Sequence, residues 1–600
     1  MDILQYQTVV VGTGASGYNA ACRLHQYGVR DIVIVTEDVN AGTSRNTGSD
    51  KQTYYKLTLG GGFPDSVMEM AQTLFEGQAV DGDIALCEAA LSAPSFLRLV
   101  ELGVPFPKNR YGEFVGYKTD HDPRSRASSV GPYTSKRMTE ALEQDAVNRG
   151  IKVLDRLQVI RILTYGERVV GLLCLDLTRQ DDPQRRFVPI VCTNVILATG
   201  GPAGIYRDSA YPESQFGASA LAFRAGACGS NLTEWQYGLA SVSPRWNVSG
   251  TYMQALPRFV STDQKGEDEH EFLLDFFGDE GVMLTNVFLK GYQWPFDVRK
   301  VENGSSIIDI LVWLESQKGR RVWLDFRANP QGKDVDFCRL SDQAYMYLQK
   351  AGACFGTPIE RLLHMNAPAV DYYSEHNVDL KTEMLEIALC AQHNNGGIDV
   401  DLWWRTRVEG LYVAGEAACT HGVYRPGGSA LNAGQVGSLR AAQHIARKGQ
   451  GESRASDESV EKESFALAEA VLGGEDNVQS LIRQFESRMS ACAAALREEK
   501  GIRALLNDAN LALENFADRV RVKEAAGLKA AFRLRDMLFA QRAYLFAMLD
   551  YLEHGGGSRG SALYIGREAG APLGGVTQLI DCAGGAPRSV WREVHPLPEA

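Results

Sequence analysis

The most informative segment of this 600-residue chain reads Thr8-Val9-Val10-Val11-Gly12-Thr13-Gly14-Ala15-Ser16-Gly17. Its β-branched run predicts a buried strand, and residues 18–27 after the glycines predict a helix that Gly28 ends. A second buried strand is predicted over residues 31–35 and leads to the acidic Glu37. A strand, a glycine loop, a helix, a strand and then an acid together predict a dinucleotide-binding βαβ unit.

Each glycine of this loop serves a bound pyrophosphate in a different way. The first permits the tight turn, the second lets the phosphates approach the backbone, and the third lets helix and strand pack closely. The N-terminus of the helix offers free N–H groups to the phosphates, and the acid accepts hydrogen bonds from the adenosine ribose. The predicted contacts are Gly12, Gly14, Ala15, Ser16, Gly17 and Glu37.

Two distant segments indicate which dinucleotide binds. Residues 194–201 predict a buried strand that runs into Ala198-Thr199-Gly200-Gly201, a turn that by itself could be an ordinary strand end. Residues 410–417 predict another strand, which ends in a glycine and an acid. A sheet that returns to one cofactor from three distant segments is typical of FAD-binding oxidoreductases. The sequence therefore predicts FAD, with further contacts from Ala198, Thr199, Gly200, Gly415 and Glu416.

The segment from Gly410 to Leu431 contains, in order, Gly-Leu-Tyr, Gly-Glu, His-Gly, Arg and Gly-Gly. In this order the chain resembles the flavoprotein subunits of succinate dehydrogenase and fumarate reductase, with L-aspartate oxidase and related soluble flavin reductases. Two details differ from the family, namely a shorter spacer between Glu416 and His421, and Ser429-Ala430 where relatives carry asparagine and serine. The resemblance implies flavin contacts at Ser429 and Leu431.

The resemblance also implies an α/β fold with three parts. A Rossmann-like FAD-binding domain is expected in discontinuous segments, residues 1–240 and 381–450. An inserted α+β capping domain is expected over residues 241–380, and a C-terminal helical domain with a tail over residues 451–600. Apolar residues at helical spacing over 534–552 agree with that last domain, and the charged stretch 452–463 predicts the linker before it.

The activity implied by the resemblance is that of an FAD-dependent oxidoreductase acting on CH–CH groups. Hydride passes between flavin N5 and a C=C bond conjugated to a carboxylate or carbonyl, while an acid supplies the proton. His421 and Arg425 fall on the family positions that hold a substrate carboxylate, and arginine suits this role because its planar fork matches two oxygens. Alternatively, His421 is a histidine packed in the core, and Arg425 forms a structural ion pair.

Three substrate positions depart from the family. Gly238 stands in place of a substrate histidine, Gln392 in place of another with His393 one position away, and Ser305-Ser306 where relatives carry the proton-donating arginine. The resemblance thus argues against fumarate and for a substrate with one carboxylate or carbonyl, which could extend into space vacated at Gly238. The candidate acids are Tyr237, Tyr424 and Arg258, although such residues more often serve packing or surface roles.

Residues 42–51 bear on how the flavin is attached. Membrane-complex relatives bond FAD through a histidine in a Ser-His-Thr segment here, whereas this chain has no histidine between His25 and His121. Non-covalent FAD is therefore expected. The predicted contacts from this segment are Ser44, Asn46, Gly48 and Ser49, of which Asn46 and Ser49 could equally be turn residues.

Composition limits the partners. The formal net charge of −12 gives little attraction for nucleic acid or anionic lipid, and no apolar run is long enough to span a bilayer. The chain begins without a signal-peptide pattern, so we expect a cytoplasmic protein. The eleven cysteines form no CxxC pair, which disfavours an iron–sulfur cluster or c-type haem. A separate electron-donor or electron-acceptor protein, NAD(P)H or a free carrier could each exchange electrons.

The sequence is also compatible with two other functional classes. One is an oxidase or dehydrogenase that works in the oxidative direction. The other is a non-catalytic FAD electron-transfer protein whose substrate site has decayed. Retention of His421 and Arg425 argues against the second class.

Overall fold

The computed structural model describes residues 3–62, 64–119, 121–448, 458–567, 570–583 and 585–599. The strands, in chain order, are β1 (Leu4–Gln5), β2 (Thr8–Val11), β3 (Ile32–Val35), β4 (Thr53–Tyr55), β5 (Ala127–Ser129), β6 (Lys152–Leu154), β7 (Leu157–Tyr165), β8 (Arg168–Asp176), β9 (Phe187–Val191), β10 (Asn194–Leu197), β11 (Cys228–Ser230), β12 (Trp235–Val242), β13 (Arg245–Asn247), β14 (Arg258–Thr262), β15 (Arg321–Asp325), β16 (Leu385–Asn394), β17 (Gly397–Ile398), β18 (Leu411–Val413), β19 (Leu496–Arg497), β20 (Leu563–Tyr564), β21 (Val576–Asp581) and β22 (Arg588–Glu593).

The α-helices, in chain order, are α1 (Ala15–Gln26), α2 (Thr43–Asn46), α3 (Val67–Phe75), α4 (Gly82–Ala90), α5 (Ser92–Glu101), α6 (Thr134–Asn148), α7 (Ser219–Ala225), α8 (Thr251–Gln254), α9 (Phe272–Phe277), α10 (Glu280–Lys290), α11 (Ser306–Gln317), α12 (Asp342–Lys350), α13 (Pro358–Glu375), α14 (Ser429–Lys448), α15 (Glu458–Val471), α16 (Val478–Cys492), α17 (Glu499–Glu514), α18 (Phe516–Arg519) and α19 (Leu528–Glu553).

A five-stranded parallel sheet in the order β18-β10-β2-β3-β6 forms the centre of the first unit. Val195 of β10 pairs with Val9 of β2 on one side and with Leu411 of β18 on the other, so the three segments predicted to converge do so. Four of these strands are buried at every position, as expected for a sheet covered on both faces. Their carboxyl ends lie at one edge, where the loops that follow them meet. The predicted α/β fold with this parallel sheet is confirmed.

A second unit has its own hydrophobic core, formed by residues between Leu239 and Ile387. Its antiparallel sheet has the order β13-β12-β16-β15-β14, and helices α8 to α13 surround it. The long strands β12 and β16 join this unit to the first. Their pairing shifts register beside Gln236, which pairs with His393 while Tyr237 pairs with Ala391. Gln392 is thus the extra residue of a β-bulge.

The C-terminal part is helical but contains more than helices. Helix α19 spans the predicted apolar stripe and is buried along most of its length. Residues 458–463 of the predicted linker belong instead to helix α15, and residues 452–457 lie outside the described residues. The tail forms the hairpin of β21 and β22, and β21 pairs with β11 of the first unit. The sequence pattern does not predict this pairing between the tail and the first unit.

None of the helices in the described part of the chain is both long and apolar enough to cross a membrane. All eleven cysteines are free thiols, and most of them are buried. The thiols therefore act mainly as small apolar groups in the packing.

Glu88 on α4 is a buried carboxyl that forms no ion pair with any described residue. Its side chain is 1% exposed, and its Oε1 has no hydrogen-bond partner in that part of the chain. Burial raises the pKa of Glu88 to about 8. The folded protein therefore holds a proton here that an exposed glutamate would release.

Glu88→Gln is expected to remove a pH dependence of stability. In the unfolded chain a glutamate ionises near pH ~4.3, so above that value unfolding releases the proton that the folded protein still holds. The free energy of unfolding therefore falls as pH rises toward the raised pKa, by about 1.4 kcal/mol for each pH unit. Chemical denaturation of the variant should show an advantage over wild type that grows from acidic to mildly alkaline pH. The exposed Glu101→Gln should show no such trend, and equal trends in both variants would contradict the prediction.

Candidate functional site

A cavity of about 1400 Å³ lies at the carboxyl edge of the parallel sheet. Its walls come from the glycine loop after β2, the turns after β10 and β18, the second unit and helix α19. Pockets for one small ligand are commonly about 300–1,000 Å³, so this cavity has room for a dinucleotide and a second molecule.

The glycine loop provides a cradle that side chains would fill. Gly12 has φ +110°, and a Cβ there would lie 2.5 Å from the carbonyl oxygen of Ala198. At Gly14 a Cβ would lie 3.1 Å from Ser44 Oγ, and this hydroxyl accepts a hydrogen bond from the Ala15 N–H at 3.2 Å. The two glycines thus leave the start of α1 open to the cavity, with the Ser44 hydroxyl beside it. This arrangement fits the pyrophosphate of FAD.

Glu37 lies at the end of the cavity where the adenosine ribose was predicted. Its carboxylate forms ion pairs with Arg533 and with Lys529, the latter at 3.4 Å, and both cations line the cavity from α19. The Arg533 guanidinium also lies 5.4 Å from the centre of the Phe216 ring. The C-terminal helix therefore forms part of this wall, which no local pattern near the glycine loop could indicate.

Most of the predicted cofactor contacts line the cavity. They are Gly12, Gly14, Ala15, Ser16, Glu37, Ser44, Gly48, Ser49, Ala198, Thr199, Gly200, Gly415, Glu416 and Leu431. Gly17 packs beneath Gly12 instead, which is its predicted packing role. Asn46 is exposed, and its amide donates to the carbonyl oxygens of Asn40 and Gly42, so it is a turn residue rather than a cavity residue. Ser429 is buried outside the lining.

Glu416 is held in the turn after β18. Its Oε1 accepts hydrogen bonds from the Tyr211 hydroxyl and, at 2.8 Å, from the backbone N–H of Asn394. Burial raises the pKa of Glu416 to about 7. These contacts connect the turn to the end of β16, which carries other residues of the cavity wall.

Arg425 lines the cavity with a guanidinium that is 6% exposed. Its Nε donates to Gln236 Oε1 at 2.8 Å, and the Gln236 amide donates back to the Arg425 carbonyl oxygen at 3.1 Å. Within the described ranges no carboxylate pairs with this guanidinium, and its Nη2 donates to no residue. Burial lowers the pKa of Arg425 to about 10, so the charge persists at neutral pH. The Glu416 carboxyl acts on Arg425 electrostatically but forms no ion pair with it. The guanidinium therefore keeps donors with which it can bind an anion.

His421 does not line the cavity, contrary to the predicted role beside Arg425. It is 3% exposed, both ring nitrogens lack partners among the described residues, and burial lowers the pKa of His421 to about 3. A neutral imidazole at this depth cannot act as a cationic clamp. Its ring packs edge-on at 4.6 Å against His393, which lines the cavity instead.

His393 is held as a neutral imidazole. Asn395 donates its amide to the Val423 carbonyl oxygen at 3.1 Å, so its Oδ1 is an acceptor, and His393 Nδ1 donates to it at 3.0 Å. Burial and the nearby Arg425 lower the pKa of His393. Because of the bulge in β16, Gln392 and His393 both line the cavity although they are consecutive.

None of the three predicted acids belongs to the cavity lining. Tyr237 is fully buried, with its hydroxyl 3.1 Å from that of Tyr206. The Arg299 guanidinium lies over Tyr424, 4.0 Å from the centre of the tyrosine ring. Arg258 forms ion pairs with acidic residues of the second unit. Their sequence positions beside the affected motifs did not bring these side chains to the cavity.

The space at Gly238 is filled rather than vacant. A Cβ there would lie 3.0 Å from both Gln392 Nε2 and Trp294 Nε1. Gln392 in turn accepts a hydrogen bond from the Asn247 amide at 3.2 Å. The predicted extension of the substrate into this slot is therefore wrong, because the indole and the amide already occupy it.

The serines in place of the family arginine lie outside the cavity lining. Ser306 begins α11, and its hydroxyl accepts a hydrogen bond from the Asp297 N–H at 3.0 Å. The Ser305 hydroxyl is buried without a partner among the described residues. Neither serine can supply a proton to a molecule in the cavity.

Sequence reasoning missed most of the polar residues around Arg425. Amide side chains dominate this end of the cavity, and two exposed lysines stand at its edge; these residues are Gln52, Gln236, Asn247, Gln254, Gln343, Asn366, Gln392, Lys51 and Lys118. One buried carboxyl, Asp50, is also part of the wall. These residues come from many distant segments, and only Gln236 and Gln392 stood at motif positions.

Residues 7–431 of the chain match the family described as FAD binding domain. L-aspartate oxidase from Agrobacterium fabrum is 28% identical over 451 residues, covering 73% of each chain. One subunit of the fumarate reductase (CoM/CoB) from Methanothermobacter marburgensis is 22% identical over 549 residues, covering 90% of each. A mutant FrdA chain of E. coli quinol fumarate reductase has a TM-score of 0.75 at 18% identity, covering 100% of this chain and 99% of that one. This last similarity concerns the fold.

Proposed function

Because the chain belongs to the FAD binding domain family and is an FAD-dependent oxidoreductase, we propose that it transfers hydride between the flavin and a C=C bond conjugated to one carboxylate or carbonyl. The similar proteins include L-aspartate oxidases and one subunit of a fumarate reductase. The choice among substrates therefore rests on the side chains of the cavity.

Arg425 is the observation that carries this proposal. A buried guanidinium that forms no ion pair with a carboxylate of the described chain is costly unless an anion completes its hydrogen bonds. The neutral Gln236 orients this guanidinium without cancelling its charge. The exposed Lys51 and Lys118 at the cavity edge favour the approach of an anionic substrate.

The same wall argues against a dicarboxylate such as fumarate. Arg425 is the one arginine that lines this end of the cavity among the described residues, and the family's substrate histidine and proton-donating arginine are replaced by Gly238 and serine. Amides and an indole stand around it instead. Such groups hydrogen-bond a carbonyl or a single carboxylate but do not neutralise a second charge.

We propose that the second unit acts as the capping domain predicted over residues 241–380. The bound flavin supplies the hydride chemistry of the reaction. The chain itself orients the substrate carboxylate through Arg425, and the capping residues Trp294 and Tyr347 help exclude water. The Arg425 guanidinium polarises the substrate and stabilises the negative charge that accumulates on the carboxylate or carbonyl oxygen during hydride transfer.

We further propose non-covalent FAD, an electron donor or acceptor separate from this chain, and a cytoplasmic location. The segment 42–51, where the resemblance places the histidine for covalent attachment, contains no histidine, and its Arg45 guanidinium pairs with Glu143 at 2.8 Å. No cysteine lines the cavity among the described residues. The relatives named as subunits work with other chains, which supports a separate electron partner.

Anaerobic reoxidation tests the proposed function. The purified yellow protein is reduced with dithionite, freed of excess reductant, and mixed with α,β-unsaturated monocarboxylates, enones or fumarate while the flavin spectrum is recorded. We expect at least one monocarboxylate or enone to reoxidise the flavin about tenfold faster than fumarate, because only one guanidinium is available. Fumarate as the best substrate would contradict the proposal.

The screen also separates the two alternatives. Flavin reduction by an amino or hydroxy acid, with oxygen consumption, would indicate the oxidative direction. A flavin that responds to no small molecule and exchanges electrons only with a protein would indicate a non-catalytic electron-transfer role.

A further inference from the structure

Asp50 is the one fully buried carboxyl that lines the substrate end of the cavity in the described part of the chain. Its side chain is 6% exposed, and it stands in the segment between α2 and β4. Thr53, three positions later, packs against Gly428, three positions after Arg425. Asp50 and the proposed carboxylate-binding group thus belong to adjoining parts of one wall.

The hydrogen bonds of Asp50 distinguish its two oxygens. Oδ2 accepts from the Thr251 N–H at 2.8 Å and from the Thr251 hydroxyl at 2.9 Å. The Asn366 amide donates to the same hydroxyl oxygen at 3.0 Å. Oδ2 carries both Thr251 contacts, which leaves Oδ1 as the oxygen from which a proton can pass into the cavity. The Lys51 backbone N–H also acts on this carboxyl.

The surroundings of Asp50 favour the protonated acid. No cation of the described chain lies within ion-pairing distance, and Gly250, with φ +61°, packs its Cα against the carboxyl. Burial raises the pKa of Asp50, although the Thr251 bonds and the exposed Lys51 act in the opposite direction. The other titratable groups around it are the tyrosines Tyr117, Tyr252 and Tyr347, which are uncharged at neutral pH.

The other ionisable groups of the cavity are less suited to give a proton. Glu37 is ion-paired at the far end, and Glu416 belongs to the turn after β18 that forms part of the cofactor wall, where Tyr211, Asn394 and the Gly201 backbone all act on its carboxyl. His393 is neutral and keeps its Nδ1 hydrogen on Asn395. The Tyr347 hydroxyl donates to Gln254 Oε1 at 3.0 Å.

We propose that Asp50 is the proton donor of the reaction, in place of the arginine that the chain lacks. This inference rests on the proposed function. The O–H bond at Oδ1 breaks, and a C–H bond forms at the substrate carbon next to the carboxylate or carbonyl, using the electron pair of the C=C bond. The other alkene carbon receives the hydride that the reduced flavin supplies in the proposed function. Asp50 is left as a carboxylate and regains its proton from water.

Asp50→Asn provides the test because an asparagine keeps an oxygen acceptor for both Thr251 donors but has no proton to give. Variant and wild type are reduced anaerobically and mixed with the best alkene of the screen. We expect flavin reoxidation to slow by about 100-fold or more. FAD content and the dissociation constant of the saturated analogue of that alkene, measured on the oxidised enzyme, should stay within about threefold of wild type.

The pH profile gives a second measurement. The wild-type reoxidation rate should fall as pH rises through the pKa of Asp50, because only the protonated form donates. The residual rate of the variant should lack this alkaline decline.

An infrared measurement follows the proton without turnover. The carboxylic-acid C=O band of Asp50 should persist to a higher pH than that of an exposed aspartate, because burial raises the pKa of Asp50, and it should be absent from Asp50→Asn. Glu88→Gln is the matched control, because Glu88 is another buried, protonated carboxyl but lies outside the cavity lining. It should lose its own band and keep the wild-type reoxidation rate.

Different failures have different meanings. A wild-type protein that no alkene reoxidises overturns the proposed function, and the assignment of Asp50 falls with it. Active wild type with an equally active Asp50→Asn overturns Asp50 alone. In a third outcome, affinity for the saturated analogue falls by the same factor as the reoxidation rate, or the variant loses activity only with an amino acid substrate. Either result shows that Asp50 binds the substrate, which also overturns proton donation.

Discussion

Arg425→Ala is expected to lower kcat/KM for the preferred unsaturated acid by about 1000-fold, the scale seen when a preorganised charged donor is removed from a reacting oxygen. The guanidinium is the buried cation of the substrate end of the cavity, and no carboxylate of the described chain pairs with it. The guanidinium that this variant loses both binds the substrate carboxylate and stabilises the negative charge that builds up during hydride transfer. Steady-state kinetics and the dissociation constant of the saturated analogue measure the two effects separately.

Two further variants sharpen this test. Gln236→Glu places a carboxylate 2.8 Å from the guanidinium where an amide now lies, so it should weaken carboxylate binding while leaving Arg425 in place. Arg405→Ala removes an exposed arginine that pairs with Asp401, and it should behave as wild type. Unchanged turnover in Arg425→Ala would remove the main support for the proposed substrate class.

Gly14→Val is expected to yield a folded protein with almost no flavin, with FAD affinity reduced by about 100-fold or more because the pyrophosphate could no longer approach the helix N-terminus. Among the described residues, the Ser44 side chain is the one neighbour within 4 Å of a Cβ at this position, with its Oγ at 3.1 Å, and this small side chain can rotate away. Flavin absorbance per protein and the dissociation constant for added FAD provide the measurement.

Gly62→Ala is the control for this variant, because Gly62 has open surroundings and lies outside the cavity lining. It should retain full flavin content. Circular dichroism should show that Gly14→Val remains folded. Normal FAD binding by Gly14→Val would mean that the dinucleotide does not lie against this loop.

The sheet could be predicted because its signals are local. Three buried strands are short apolar runs with a glycine-containing turn soon after them, and the parallel sheet joins these runs, which begin at residues 8, 194 and 411. The tail hairpin was missed because its pairing with β11 depends on contacts between residues more than 300 positions apart. Sequence periodicity does not specify such a partner.

The cavity could be predicted only in part, for related reasons. The backbone of the glycine turns makes the cofactor wall, so the motif indicates most of it. The substrate wall instead depends on which side chains the long strands and loops bring together. A bulge brings both Gln392 and His393 to the cavity, and burial alone distinguishes Asp50 from an ordinary surface aspartate.

The ion pairs between Glu37 and helix α19 bear on how the protein is made. A ribosome releases the glycine loop long before α19, so a nascent chain lacks one wall of the adenosine end until α19 has been made. Completion of this end of the flavin site therefore waits for α19. Premature termination before residue 529 would leave the N-terminal nucleotide motif intact in sequence but open to solvent at that end.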